Sequence, residues 1–200
     1  DQSLHVFHSP KFKGVVDDAI LFFESTPIHQ LPPPVFFTGT GVYALYYVGD
    51  YELYARISEI NRDVCIQPVY VGKAVPPGWR TARAHLAQTA ALHQRLREHA
   101  RSIGQVENLR LENFQCRFMI LTGIESDLIA SVEAELIRRY RPLWNTVIDG
   151  FGNHDPGAGR YNQARSEWDV LHPGRSWAER LTGVSPDLEE VIAKIRQFLG

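Results

Sequence analysis

Glu133 lies within an apolar stripe. Ile129, Val132, Leu136, Ile137 and Tyr140 recur at helical spacing, and Glu133 falls four residues after Ile129 and three before Leu136. A carboxylate turned toward a core is costly unless it is paired, hydrogen-bonded or bound to a metal ion. The position therefore suits either a metal ligand or a buried acid satisfied by an arginine. Arg95 and His99 stand four residues apart on another helical stretch and share a face, where they could converge on one ligand or simply meet solvent. Tyr43, Tyr46, Tyr47 and Tyr70 fall in strand-like segments, where a tyrosine ordinarily packs. A phenol brought beside cations could instead move a proton.

The elements that must position these side chains are marked by periodicity and punctuation. Val15, Val16, Ala19, Ile20 and Phe23 predict an N-terminal helix after Gly14, and the run Leu31-Pro32-Pro33-Pro34 must be extended. The aromatic and β-branched segment 41–47 predicts a buried strand, 67–71 a second strand weakened by Pro68, and 114–121 a third. Leu92, Leu96, Ala100 and Ile103 mark a helix between the second and third strands. Ser126 can cap a helix over 126–140, which Pro142 ends. Residues 143–148 read as a short extended piece, 150–160 as a glycine-rich loop, and Ser185-Pro186 as the opening of a final helix with proline at its first position. The expectation is one α+β domain over residues 1–200. It has a small, mostly antiparallel sheet of about three strands flanked by helices, with 1–34 and 151–200 packed on a core at 35–150.

Composition narrows the function classes. The chain has 200 residues, 44% of them hydrophobic, which suffices for a sizeable core. A net charge of −2 is not that of a strongly basic nucleic-acid binder, but between Lys73 and Arg110 seven lysines and arginines face two glutamates, joined by His85, His93 and His99. Such a stretch can face phosphates or form a solvated helix face. Cys65 and Cys116 are far apart and form no Cys-x-x-Cys pattern, so they read as small buried hydrophobes rather than a disulfide or zinc site. No apolar run approaches a membrane span, and no export signal precedes the first helix, so a cytoplasmic location is expected.

The order of these motifs resembles the GIY-YIG nuclease superfamily. Gly41-Val42-Tyr43 is similar to its first signature and Tyr70-Val71-Gly72 to its second, with Lys73 following; Arg95-x-x-x-His99 is similar to its helix motif, Glu133 to its metal-binding glutamate and Asn145 to its late asparagine. Leu31-Pro32-Pro33-Pro34, Pro76-Pro77-Gly78-Trp79-Arg80 and Asp149-Gly150-Phe151-Gly152-Asn153-His154 further resemble the type II restriction endonucleases of this superfamily that cut the palindrome CCGCGG. Two stretches, 50–65 and 74–91, look like insertions. Tyr47-Val48-Gly49 also spells the second signature, but it follows the first too closely to return as a neighbouring strand. Arg83 and His85 have the wrong spacing for the helix pair. Other nuclease signatures are incomplete: Pro186-Asp187 lacks a following Glu-x-Lys, Asn153-His154 lacks the context of an HNH site, and the glycines of 150–159 lack the Gly-Lys-Ser/Thr ending of a P-loop.

The resemblance implies metal-dependent hydrolysis of phosphodiester bonds in double-stranded DNA. Glu133 would hold one Mg²⁺ or Mn²⁺ per site. Arg95 would stabilise phosphate charge, Tyr43 would act as base or position the water, and Tyr70 would orient water or phosphate. His99 would hold Tyr43 or relay its proton, and Asn145 would anchor the site or a phosphate oxygen. Nearby Arg95, Lys73 and the ion would lower the phenol's pKa from its usual value of about 10. The division of base work among Tyr43, Lys73 and His99 stays open. A palindromic target implies a homodimer, and a restriction enzyme implies a cognate DNA methyltransferase. The two insertions and the loop over 150–165 are the candidates for base and dimer contacts, with Arg80, Arg83 and Arg160 as candidate DNA-binding residues. The alternatives are a non-specific or repair-type nuclease of the same superfamily and a catalytically silent DNA-binding module of the same fold.

Overall fold

Every residue of the segment Gly41–Tyr47 is buried, as happens when both faces of a sheet are covered. The computed structural model describes residues 2–76, 78 and 89–200. Its strands are β1 (Ile28–Gln30), β2 (Gly41–Tyr47), β3 (Tyr70–Ala74) and β4 (Phe114–Ile120), ordered β1-β4-β2-β3 with every neighbour antiparallel. Seven α-helices flank the sheet among the described residues: α1 (Pro10–Ser25), α2 (Ala55–Asn61), α3 (Ala91–Gln105), α4 (Ile129–Tyr140), α5 (Leu143–Thr146), α6 (Glu167–Leu171) and α7 (Leu188–Leu199). This is the expected α+β architecture, with a fourth strand: the three-residue β1 pairs with Cys116 and its neighbours at one edge. Among these residues no helix is long and apolar enough to cross a membrane. Cys65 and Cys116 are both free and buried, as read from the sequence.

Alternation along β2 sorts the core into two halves. Tyr43, Leu45 and Tyr47 belong to the apolar cluster that contains Leu92, Leu96, Ala100 and Ile103 of α3. Val42, Ala44 and Tyr46 belong to the one that contains Val16, Ile20 and Phe23 of α1 and Ile129, Val132 and Leu136 of α4. Leu92 and Leu96 are fully buried, and each such side chain stabilises the fold by roughly 1.5–3 kcal/mol. Residues facing each other across β2 and β3 share a face. The pairs Leu45–Tyr70 and Tyr43–Gly72 therefore place Tyr70 on the α3 side, whereas Val42–Lys73 places Lys73 on the α4 side. The same register assigns the second signature to Tyr70-Val71-Gly72, not to Tyr47-Val48-Gly49, which begins at the end of β2.

Several element boundaries differ from the sequence expectation for local reasons. Helix α1 begins at Pro10, ahead of Gly14, because proline suits a first helical turn. The second strand starts at Tyr70 rather than 67. The side-chain amide of Asn61 engages the backbone of Ile66 and Gln67, holding this stretch outside the ladder. Residues Gly123–Leu128 form a 3-10 helix, so Ser126 bonds back to the Gly123 carbonyl and α4 starts at Ile129 without a side-chain cap. The extended piece expected at 143–148 is instead the short helix α5. At the other end of the chain Asp187 caps α7 by accepting from the Glu190 N–H, which leaves Pro186 outside the helix. Arg141, in the left-handed region at φ 44°, reverses the chain after α4 and delivers α5 to β3.

Candidate active site

The phenol of Tyr43 and the imidazole of His99 meet in the interior, with the hydroxyl oxygen 2.6 Å from Nε2. Tyr43 is 1% and His99 2% exposed. Tyr43 comes from the first half of β2 and His99 from the third turn of α3, the helix laid across that face of the sheet. Gly72 makes this approach possible. It lies opposite Tyr43 on β3, and a Cβ there would stand 2.4 Å from the phenol oxygen, so only glycine lets the ring cross the strand. Tyr70 completes an aromatic cluster, its ring centroid 6.3 Å from that of Tyr43 and 5.3 Å from that of His99.

Burial sets the protonation states of this cluster. It raises the Tyr43 pKa well above the usual tyrosine value, and the neighbouring Tyr70 adds to the rise while Arg95 opposes it. The expected lowering of the Tyr43 pKa is thus reversed in the protein by itself: loss of water around a phenolate outweighs the attraction of nearby cations. Burial likewise holds His99 well below the ordinary histidine value, reinforced by the positive charge of Arg95. The resting pair is therefore a neutral phenol and a neutral imidazole. The hydroxyl can donate to Nε2 when the ring proton sits on Nδ1.

Arg95, one turn before His99 on α3, is half-buried between the buried Tyr43 and the surface. It lies at a surface groove of about 730 Å³ lined by Lys73, Val75, Gln94, Arg95, Glu98 and His154, among others. Arg95 and His99 converge on Tyr43, whose hydroxyl lies against His99 Nε2 and also hydrogen-bonds the Arg95 side chain. Arg95 further donates to Glu98 Oε2 at 3.1 Å and to the Gly152 carbonyl at 3.3 Å, and its Nη1 lies 2.5 Å from His154 Nε2. The charges of Arg95 and Glu133 both act on Tyr43 and Tyr70, so the guanidinium, the carboxylate and the two phenols form one electrostatic unit.

Glu133 reaches that unit from α4, on the other face of the sheet. Its carboxylate is not satisfied by an arginine in the core; it forms an ion pair with Lys73 of β3, the side chains being 18% and 32% exposed. β3 is an edge strand, so groups from both faces can meet around it. Asn145 of α5 occupies that edge: its Oδ1 accepts from the Val71 N–H at 2.8 Å and its Nδ2 donates to the Val71 carbonyl at 2.9 Å. One side-chain amide thus does what a further strand would do, fixing the backbone between Tyr70 and Gly72.

Among the DNA-binding candidates, Arg80 and Arg83 lie outside the described residues. Arg160 is exposed in the 150–160 loop and is not among the groove-lining residues. The 50–65 insertion holds a 3-10 turn (Glu52–Tyr54) and α2. It packs toward the C-terminal helix: Arg56 donates to the Leu199 and Gly200 carbonyls, and the buried Tyr54 hydroxyl lies 2.6 Å from His172 Nε2.

Sequence reasoning offered the loop over 150–165 for base and dimer contacts but gave it no part in closing the catalytic cluster. The Phe151 ring stacks on His99 with centroids 4.6 Å apart and meets Tyr70 edge-on at 4.9 Å. Its loop is held from below by the buried Arg175, which donates to the carbonyls of Gly150, Phe151 and Asn153 and pairs with Asp169 at 2.7 Å. The rings of Trp168 and Trp177 lie within 4.7 Å of the same guanidinium. The only sequence signal was the run Asp149-Gly150-Phe151-Gly152-Asn153-His154, which carries no periodicity from which a contact could be derived.

Residues 35–199 match the family model described as the Eco29kI GIY-YIG domain. No curated protein matches the chain significantly.

Proposed function

The chain belongs to the Eco29kI GIY-YIG family of restriction endonucleases, and on that premise we propose that it is a type II site-specific deoxyribonuclease cutting a palindromic double-stranded DNA site, CCGCGG. The observation that carries the reading is the Tyr43–His99 hydrogen bond lying within electrostatic reach of Arg95 and Glu133. Phosphodiester hydrolysis needs a route for the water's proton, charge to stabilise phosphorus as it becomes pentacoordinate, and help for the departing oxygen.

The donor set fits a hard divalent ion. Among the described residues no group of three or more His, Cys, Asp or Glu gathers as a cage. Glu133 offers one partly exposed carboxylate, which suits Mg²⁺ or Mn²⁺, ions that keep several waters when held by one or two carboxylates. When bound there, one ion per site supplies Lewis-acid charge at the scissile phosphate and its departing oxygen. Lys73, which neutralises Glu133 in the free protein, is then available to the phosphate.

The protein's own groups perform the proton work. Tyr43 accepts the proton of the attacking water while its own proton passes to His99 Nε2, so no free phenolate need exist in the buried site. Arg95 at the groove stabilises the phosphate oxygens, Tyr70 orients water or phosphate, and Asn145 holds β3 in place. Two copies related by a two-fold axis would cut the two strands of a palindrome, and a methyltransferase of the same specificity would protect the host's own sites. Base contacts are assigned to the two insertions and to the 150–165 loop.

A plasmid digest with Mg²⁺ tests the reading. Discrete fragments ending within CCGCGG, and no cutting of a plasmid lacking that sequence, support it. Random nicking supports a repair-type nuclease, and binding without cutting a silent module.

A further inference from the structure

His154 stands at the groove with Nε2 2.5 Å from Arg95 Nη1. The contact is built rather than incidental. The loop that carries His154 is tied by three of its carbonyls to the fully buried guanidinium of Arg175. The same loop presents the Gly152 carbonyl to Nη2 of Arg95. The guanidinium is thus gripped on two sides by one rigid segment and on a third by Glu98. The chemistry of the grip matters. A ring nitrogen accepting from Arg95 uses a lone pair and carries no charge, so it orients the fork of donors without cancelling its positive charge. A carboxylate at the same place would orient the fork and neutralise it. Glu98 already brings one carboxylate to Arg95, and His154 Nε2 and the Gly152 carbonyl orient the guanidinium without bringing a second.

We propose that His154 is a positioning residue of the nuclease site, holding Arg95 in the orientation that meets the scissile phosphate without adding negative charge to that of Glu98. The proposal rests on the nuclease reading above.

The test compares four variants in single-turnover cleavage and in DNA binding without cleavage, with the melting temperature recorded for each. His154→Ala removes the acceptor. Misplaced catalytic groups can cost on the order of 10²-fold, and the cleavage rate constant is expected to fall about 10- to 100-fold while DNA affinity changes by less than about 3-fold. His154→Gln, whose amide oxygen can reach the place of Nε2, is expected to restore most of the rate. His154→Asn, whose shorter amide stops short of it, is expected to behave like alanine. His154→Glu holds Arg95 but sets a second carboxylate on it beside Glu98, and is expected to weaken both cleavage and binding. Cleavage at the wild-type rate by His154→Ala, or a glutamine variant as slow as the asparagine one, overturns the proposal. If the alanine variant does not fold, the glutamine–asparagine comparison decides alone. A wild-type protein that cuts no DNA would overturn the nuclease reading itself and the proposal with it, a result distinct from normal cutting by the variants.

Discussion

Gly72 and Tyr43 face each other across β2 and β3, and the phenol lies where any Cβ on residue 72 would be. The glycine of the second tyrosine motif thus serves the tyrosine of the first. Gly72→Ala is expected to push the Tyr43 ring off His99, because a ring that is 1% exposed has nowhere to move without disturbing the core. Overpacking of this kind costs ~1–3 kcal/mol, and cleavage is expected to fall about 100-fold. A chemical melt and a cleavage assay check both; an alanine variant with normal stability and rate contradicts the close approach.

Tyr43→Phe deletes one oxygen and keeps the ring. His99 Nε2 then loses its 2.6 Å partner, a loss of ~1 kcal/mol in stability. Cleavage is expected to drop by about 10²–10⁴-fold, the usual range for a lost acid–base group, with DNA binding retained. Because burial places the Tyr43 pKa well above its usual value, the wild-type pH–rate profile in the neutral range is expected to show no limb belonging to this phenol. Full activity of the phenylalanine variant would remove Tyr43 from the chemistry.

Glu133→Ala is expected to fold and bind DNA but not to cut it. The partner left behind, Lys73, is partly exposed, so the loss in stability is expected to stay within about 1 kcal/mol. Removal of a negative charge beside the groove should leave DNA affinity equal or higher at low salt. Chelation of divalent ions is expected to reproduce the variant's behaviour in the wild type, and cutting that persists in EDTA would rule out the metal role of Glu133.

Acid should destabilise the fold through two buried histidines. Burial lowers His172 from 6.5 to about 3, with Arg175 adding to the effect, and holds His99 well below 6.5. Above pH 6.5 each histidine is neutral in both the folded and the unfolded chain, so neither makes stability depend on pH. Below 6.5 the unfolded chain takes up protons that the folded chain refuses, and stability falls by up to ~1.4 kcal/mol per pH unit for each group. For His172 the loss is complete near pH 3. Urea midpoints measured between pH 7.5 and 4 are expected to decline, and His172→Gln is expected to flatten part of that slope. A midpoint independent of pH across this range would contradict the buried neutral state.

Local pattern was sufficient for the parts whose physics is local. The stripe of Ile129, Val132 and Leu136 fixes which way α4 faces, and the four-residue spacing of Arg95 and His99 puts both on one side of α3. The aromatic and β-branched run 41–47 reads as a buried strand, and it is one. The order of Tyr43, Tyr70, Arg95, His99, Glu133 and Asn145 was likewise readable before any coordinates.

Tertiary structure decided what depends on contacts between distant residues. Lys73, rather than an arginine, meets Glu133 because β3 is an edge that both faces reach. Asn145 becomes a surrogate strand partner because α5 is a helix and not the expected extended piece. The ionisation of Tyr43 is set by the amount of water removed around it, which no spacing of residues along a chain encodes. Phe151, His154 and Arg175 enter the site through a loop whose path is fixed by hydrogen bonds to carbonyls. Such bonds leave no trace in a hydrophobic pattern, because backbone acceptors are the same at every residue.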